Sequence, residues 1–109
     1  ITAGATQEAI DPVRYISNKS SGKMGYAIAK AAKYFGANVT LISGKVSLDD
    51  ISGVKHINII SANDLDVTMN TLLSKEKYEM IIMAAAVADY SPESKLEVLL
   101  IILLFKDME

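Results

Sequence analysis

The protein is a chain of 109 residues, half of them hydrophobic, with a formal net charge of −2. This length suits one domain and is too short for two ordinary ones. The slightly acidic balance excludes a general affinity for nucleic acid or for an anionic membrane surface, because both require a basic excess. Since the chain has no cysteine, disulfides and thiolate metal sites are excluded and a reducing cytoplasm is the expected compartment.

The first residues predict the end of a buried strand. Ile1 to Ala3 have strand character, and Gly4 and a polar stretch that contains Asp11 and Pro12 follow them. No cationic segment precedes this strand, so we expect no signal peptide. The chain does not begin with methionine, which suggests a piece of something longer.

A helical period begins at Met24 and ends near Phe35. Apolar residues recur at the i, i+3, i+4 and i+7 positions, and Lys30 and Lys33 fall outside that stripe. Gly36 suits the left-handed position that follows a helix. The predicted stripe comprises Met24, Ala27, Ile28, Ala31, Ala32 and Phe35.

Three further strands and one further helix are predicted. Residues 38–43, 54–60 and 78–86 have the β-branched or continuous apolar character of buried strands. His56 lies inside the second of these, which favours a structural role and leaves no His-rich metal cluster. Ser61 and Asp64 have the spacing of a helix cap, and the helical stripe that follows is Leu65, Met69, Leu72 and Leu73.

The alternation of strands and helices predicts an α/β fold. We expect a Rossmann-like, doubly wound parallel sheet in three α/β/α layers, incomplete, within a single domain of residues 1–109. The apolar run at 96–105 is about half of the ~20 residues that a membrane-spanning helix needs. It is therefore predicted as a buried strand or short helix, and no membrane association is expected.

The loop from Arg14 to Gly25 has the composition of a phosphate-binding loop. Its twelve residues include two glycines, three serines, an asparagine and three cations. In such folds a ligand lies where the first strand leads into its helix, and the helix start favours an anion. The alternative is that the serines only cap the helix and Gly25 only relieves helix–strand contact. The groups in question are Lys19, Ser20, Ser21, Gly22, Lys23 and Gly25.

Known phosphate motifs fit this loop poorly. Met24 occupies the position where a Walker A loop needs Ser or Thr. The segment from Ser20 to Ser43 is similar to the cofactor segment of short-chain dehydrogenases, but no acidic residue ends its second strand. The Tyr-x-x-x-Lys spacing of that family occurs only at Tyr15 and Lys19, in the first loop. An NADP-dependent oxidoreductase of this kind stays as the alternative.

The second informative segment is AAAVADY, residues 84–90, which we call the alanine segment. Its three alanines, Ala84, Ala85 and Ala86, leave room for a flat ring against the backbone at a strand's carboxyl end. Asp89 follows at the edge of the sheet and could accept hydrogen bonds from a ribose or an amino group. The alternative is that the alanines pack against a helix and Asp89 caps the next element.

These two segments together resemble one family, phosphopantothenoylcysteine synthetase, the second enzymatic half of the bacterial coenzyme A bifunctional protein. The matching blocks are ITAG, DPVRYISNKSSGKMG, GANVTLISG and AAAVADY, which cover residues 1 to about 92 in the family's order.

The resemblance implies a two-step ligation. CTP would activate the carboxylate of 4′-phosphopantothenate as an acyl-cytidylate, and the amine of cysteine would then displace CMP to form the amide. Asn18 matches the family's functional asparagine, whose amide would hydrogen-bond the acyl carbonyl. Mg²⁺ would bind mainly through phosphate oxygens, since the sequence shows no protein cage for it. The implied nucleotide and phosphate contacts are Gly4, Ser20, Ser21, Gly22, Lys23, Ala84, Ala85, Ala86 and Asp89.

The sequence departs from the family after Pro92, so residues 93–109 form an atypical tail. In the family a flap follows that carries a lysine over the triphosphate, and Lys95 is the candidate for that residue. The resemblance also implies a homodimer and a flavin-dependent decarboxylase domain, fused or associated. A non-catalytic remnant of such an enzyme is the second alternative.

Overall fold

The computed structural model describes residues 1–88. Asp89, Lys95 and the predicted tail lie outside the described residues. The regular elements in chain order are β1 (Thr2–Ala3), β2 (Gln7–Ala9), β3 (Tyr15–Ser17), α1 (Lys23–Tyr34), β4 (Thr40–Ser43), β5 (Lys55–Asn58) and α2 (Ala62–Lys75).

The central sheet is parallel, as predicted, and β4 lies between β1 and β5. Ala3 pairs with Ser43, and Ile42 pairs with Ile57. α1 connects β1 to β4 on a helical crossover, whereas residues 44–54 connect β4 to β5 without a helix. All carboxyl ends therefore meet at one edge of the sheet, where ligands of such folds bind.

The predicted strand at 78–86 is shorter and less regular than expected. Met83 and Ala86 form isolated parallel bridges to Thr2 and Ala5 on the free side of β1, while Met80 is 74% exposed. Gly4, with φ of 77°, follows β1 and lies between the two bridged residues, Thr2 and Ala5. β1 thus lies between β4 and residues 82–86.

Adjacent residues of β4 show that the fold has three layers. Leu41 belongs to a buried cluster with Tyr26 and Ala29 of α1, whereas Ile42 belongs to a second cluster with Leu65 of α2. Successive side chains of a strand point to opposite faces. The two helices therefore cover opposite faces of the sheet, which confirms the predicted α/β/α layering.

The helix α1 forms as predicted, but its buried face differs from the predicted stripe. Met24 is 60% exposed and Phe35 is 85% exposed, whereas the residues buried on α1 are Gly25, Tyr26 and Ala29. The Tyr26 hydroxyl lies 3.1 Å from Ser43 Oγ, and Gly25 packs directly on Ala3. A close contact and a buried hydroxyl therefore set the rotation of α1, and apolar periodicity alone does not.

The ends of the helices follow their local sequence signals. Gly36 has φ of 93°, and Ala37 N–H donates to the Ala32 carbonyl at the end of α1, as in a Schellman motif. Leu65 is fully buried in α2, as the predicted stripe requires, but Leu73, which the prediction also placed on that stripe, is 44% exposed.

His56 has the contacts of a structural residue, in accord with the expectation from its strand. His56 Nε2 accepts a hydrogen bond from Ile51 N at 2.9 Å, and the ring lies against Tyr26. His56 Nδ1 lies 3.4 Å from Asp50 Oδ1.

Neither α1 nor α2 is long and apolar enough to cross a membrane.

Candidate functional site

The start of α1 lies against the carboxyl end of β1. Gly22 is the N-cap in a left-handed conformation, with φ of 78°, and a Cβ added there would meet Val46 Cγ1 at 2.6 Å. A Cβ on Gly25 would clash with the Ala3 methyl group. The packing alternative thus accounts for Gly25, and Gly22 lets the chain turn sharply into the helix.

The N–H groups at the start of α1 are largely left without protein partners. No side chain caps the helix from Gly22, and its first turn carries no acidic residue. Ser21 Oγ accepts a long hydrogen bond, 3.3 Å, from Lys23 N. Within residues 1–88, the N–H groups of Met24 and Gly25 have no acceptor. This end therefore offers free donors and a partial positive charge to an anion.

The side chains around this helix start extend into solvent. Lys19, Ser20 and Lys23 are exposed, and neither lysine forms a salt bridge with a described residue. The structure therefore brings the predicted phosphate-binding residues to one surface, close to Gly4. They include Gly22, whose added Cβ would lie 3.5 Å from Gly4 Cα.

A β-hairpin that was not predicted from the sequence leads directly into Asn18. β2 and β3 pair antiparallel, with Gln7 opposite Ser17. At the tip, Asp11 accepts hydrogen bonds from Val13 N and Arg14 N, and Arg14 Nε lies 2.6 Å from Asp11 Oδ2. These bonds, that from Val13 N first, hold the pKa of Asp11 below its ordinary value. The Asp-Pro pair was the one local sign of this turn.

The hairpin is attached to the body of the protein at several points. Gln7 N donates to the Ile60 carbonyl at 2.6 Å, and the buried Glu8 carboxylate accepts from Ala62 N at the start of α2, at 2.9 Å. Ser17 Oγ donates to the Thr6 carbonyl at 2.7 Å. The hairpin is thus fixed relative to the sheet and α2, and so is the residue that follows it, Asn18.

Asn18 lies beside the alanine segment. Asn18 Nδ2 donates a hydrogen bond of 2.9 Å to the Val87 carbonyl, across 69 positions of sequence. This bond uses one of the two N–H groups of the carboxamide. Among the described residues, the second N–H and Oδ1 have no hydrogen-bond partner, and Asn18 is exposed. Its carboxamide is therefore oriented on one side and open on the other.

The N–H groups of Ala84, Ala85 and Ala86 are all bonded to residues 2–4. Ala84 N donates to the Thr2 carbonyl and Ala86 N to the Gly4 carbonyl, at 3.1 and 2.7 Å. Ala85 N donates to Thr2 Oγ1 at 3.2 Å. Within residues 1–88 the carbonyls of Ala84 and Ala85 accept no hydrogen bond. The segment therefore offers acceptors, rather than donors, to a neighbouring group.

Tyr15 does not match the catalytic pair of a short-chain dehydrogenase. It lies in β3 of the hairpin, not on a helix. In addition, residues 1–88 contain no group of three or more His, Cys, Asp or Glu residues placed to hold a metal ion.

The chain is similar to proteins of coenzyme A biosynthesis. It is 54% identical over 95 residues to the coenzyme A biosynthesis bifunctional protein CoaBC of Vibrio parahaemolyticus, covering 86% of this chain and 23% of that protein. It is 53% identical over 90 residues to CoaBC of Escherichia coli K12, covering 83% and 22%. The chain thus spans less than a quarter of the length of these relatives.

Two solved structures share the fold. The crystal structure of the C-terminal domain of CoaBC matches with a TM-score of 0.77 at 44% identity, over 85% of this chain and 46% of that one. The DNA/pantothenate metabolism flavoprotein of Streptococcus pneumoniae matches with a TM-score of 0.75 at 34% identity, over 84% and 40%.

The family is given by a match that covers most of the sequence. Residues 1–98 match the family described as the DNA/pantothenate metabolism flavoprotein C-terminal domain. Together with the CoaBC relatives, this match confirms the resemblance that the sequence motifs indicate. The chain belongs to the family of the DNA/pantothenate metabolism flavoprotein C-terminal domain.

Proposed function

We propose that this chain is the nucleotide-binding part of a ligase that joins 4′-phosphopantothenate to cysteine, with CTP as the activating nucleotide. The observation that carries the proposal is the 2.9 Å hydrogen bond from Asn18 Nδ2 to the Val87 carbonyl. This bond sets the carboxamide of the asparagine motif beside the alanine segment. Family membership supports the same reaction, since the relatives are named for coenzyme A biosynthesis.

The triphosphate of CTP binds at the start of α1. The free N–H groups of Met24 and Gly25 would donate to phosphate oxygens, with Ser20, Ser21 and Gly22 around them. The ammonium group of Lys23 adds a full positive charge at the same surface. Gly4 keeps the end of β1 clear of side chains. Mg²⁺ accompanies the nucleotide and neutralises its charge, with phosphate oxygens as ligands.

The cytidine lies along the alanine segment. Cytosine carries an exocyclic amino group, which is a donor, and the carbonyls of Ala84 and Ala85 are acceptors without partners among residues 1–88. The small side chain of Ala86 leaves space beside them. Asp89 remains the predicted contact to the ribose and Lys95 the predicted flap lysine.

Asn18 acts on the acyl group. The carboxylate oxygen of 4′-phosphopantothenate attacks the α-phosphorus of CTP and pyrophosphate leaves. The amine of cysteine then attacks the acyl carbon, and CMP leaves as the amide forms. The open N–H of the Asn18 carboxamide donates to the carbonyl oxygen, on which negative charge develops during this attack. We further propose a homodimer in the cytoplasm, with a fused or associated flavin-dependent decarboxylase domain.

Binding and adduct formation test this function in two steps. Calorimetric titration should give tighter binding of CTP than of NADPH. CTP labelled at the α-phosphate should then yield a labelled acyl-cytidylate only when phosphopantothenate is present, and added cysteine should convert the label to CMP. Tighter binding of NADPH would favour the oxidoreductase alternative. CTP binding without an adduct would indicate a non-catalytic remnant.

Asn18→Asp tests the role of the carboxamide. The substitution removes the donor to the acyl carbonyl, so adduct turnover should fall by about 10²–10³-fold. It also removes the donor to Val87, so we expect a loss of about 1 kcal/mol in the free energy of unfolding. Asn38→Asp, the same change at another exposed asparagine, is the matched control and should leave turnover unchanged. Equal losses in both variants would contradict the role of Asn18.

A further inference from the structure

Thr6 makes three hydrogen bonds at the point where the hairpin leaves the sheet. It is fully buried, with 0% of its surface exposed. Its N–H donates to the Ala86 carbonyl at 3.1 Å and its carbonyl accepts from Ser17 Oγ at 2.7 Å. Its hydroxyl oxygen, Oγ1, accepts from Ala88 N at 2.9 Å. Thr6 thus joins the residue before Asn18 to the segment that Asn18 contacts.

The hydroxyl of Thr6 and the carboxamide of Asn18 bind the two sides of one peptide unit. Ala88 N–H donates to Thr6 Oγ1, and the carbonyl of Val87, in the same unit, accepts from Asn18 Nδ2. The described peptide bonds are all trans, and a trans peptide is planar with its N–H and C=O pointing in opposite directions. Fixing the N–H therefore fixes the direction of the carbonyl.

We propose that Thr6 is a positioning residue whose hydroxyl orients the Asn18 carboxamide through the Val87–Ala88 peptide unit. With the Val87 carbonyl held in one direction, one N–H of Asn18 is held with it. The second N–H is then fixed toward the open side. The consequence for catalysis rests on the proposed function, whereas the orientation itself does not.

Thr2 provides a matched comparison. It is also buried, with 1% exposed, and its Oγ1 also accepts from a backbone N–H, that of Ala85. The carbonyl in that peptide unit belongs to Ala84, which is not bonded to Asn18. If these threonines only satisfied buried N–H groups, removing either hydroxyl would have similar effects. If Thr6 positions Asn18, only its hydroxyl should matter for that carboxamide.

The experiment is an NMR measurement on the full chain labelled with ¹⁵N and ¹³C. The readouts are the coupling across the hydrogen bond from Asn18 Nδ2 to the Val87 carbonyl carbon, and the hydrogen exchange of the Asn18 side-chain amide against that of exposed Asn63. We expect about tenfold slower exchange for Asn18 than for Asn63 in the unmodified chain. We call this coupling and this slow exchange together the Asn18 signature. Thr6→Val should abolish it, while Thr6→Ser and Thr2→Val should retain it.

Three results would overturn the proposal: an unchanged Asn18 signature in Thr6→Val, its loss in Thr6→Ser with the unfolding midpoint unchanged, or its equal loss in Thr2→Val. The second result keeps the test decisive if Thr6→Val does not fold. The acyl-cytidylate assay separates this inference from the proposed function. Loss of the Asn18 signature in Thr6→Val, without any adduct from the unmodified chain, would support positioning and reject the ligase. Adduct formation by the unmodified chain, together with an unchanged Asn18 signature in Thr6→Val, would support the ligase and reject positioning by Thr6.

Discussion

The two helices of this protein begin in opposite ways. At the start of α2, Ser61 Oγ accepts from Asp64 N, and Asp64 Oδ2 accepts from Ser61 N and Ile60 N, in a complete capping box. Glu8 adds a third acceptor, to Ala62 N. At the start of α1 the N-cap is Gly22, which has no side chain to offer, and the first turn has no acidic residue.

This difference separates a structural helix start from one that can bind a ligand. An N-cap side chain reaches back to the first turn only from an extended backbone, and Ser61 has that conformation with φ of −102°. Gly22, at φ of 78°, has a left-handed backbone and no side chain, so it cannot cap the first turn of α1 in this way. The protein supplies the acceptors for α2 itself, whereas the donors of α1 stay open to an anion.

Replacing Gly22 should have the largest effect, because an added methyl group strains the left-handed backbone at the helix start and clashes with Val46. In Gly22→Ala the left-handed backbone and the contact with Val46 Cγ1, 2.6 Å from the added Cβ, should together cost about 2–3 kcal/mol. Urea unfolding measures this loss, and calorimetry should show weaker CTP binding.

Gly36→Ala is the control for Gly22→Ala. Its φ is 93°, and an added Cβ there meets nothing within 4 Å. Gly36→Ala should therefore lose only the free energy that a left-handed backbone costs a residue with a Cβ, about 1–2 kcal/mol, and it should keep its affinity for CTP. Equal loss of CTP binding in both variants would mean that global stability, and not the geometry of the α1 start, controls the affinity.

Removing the cap of α2 should cost stability without affecting the nucleotide. Ser61→Ala leaves Asp64 N without its acceptor, so the free energy of unfolding should fall by about 1 kcal/mol. The corresponding change at α1, Ser21→Ala, removes only the 3.3 Å contact with Lys23 N and should cost less. A drop in CTP affinity in Ser61→Ala would contradict the conclusion that the start of α2 is structural and only the start of α1 binds the nucleotide.

The α2 start was predictable because its signal is local. Ser61 and Asp64 lie three positions apart, and Gly36 directly follows its helix, so short-range patterns were sufficient for both. The layered α/β fold followed from the same alternation of strands and helices. The phosphate-binding role of the loop from Arg14 to Gly25 also comes from its own composition, and it stays a prediction.

The remaining features depend on contacts between distant segments. Thr6 contacts Ala88 across 82 positions, and no pattern around Thr6 indicates such a partner. The hairpin has only Asp11–Pro12 as a local turn signal, and its strands of three residues each are too short to show an alternating pattern. The rotation of α1 is set by Tyr26 and by the close approach of Gly25 to β1, so the stripe predicted from apolar periodicity, which began at Met24 and ended at Phe35, was wrong about the buried face.

The capping box of α2 should also give stability a specific dependence on pH. Hydrogen bonds from Ser61 N and Ile60 N hold the pKa of Asp64 below its ordinary value of 3.8. The carboxylate therefore stabilises the folded state fully above about 3.8, and this contribution is lost as the pH falls through the lower folded value. The stability advantage over Asp64→Asn, about 0.3–1 kcal/mol at neutral pH, should shrink below that point. A constant difference from pH 3 to 7 would contradict this.

The smallest expected effect concerns the charge beside the open helix start. Lys23 is exposed, and an exposed ion pair contributes about 0.2–1 kcal/mol, so Lys23→Gln should weaken CTP binding by roughly two- to fivefold. The loss should diminish at high salt, because exposed charges are screened. Lys33→Gln is the matched control, since Lys33 lies in the last turn of the same helix and the change in net charge is equal. If both variants weaken binding alike, the net charge of the protein attracts the nucleotide. If only Lys23→Gln does, the triphosphate lies at the end of α1 that the protein leaves uncapped.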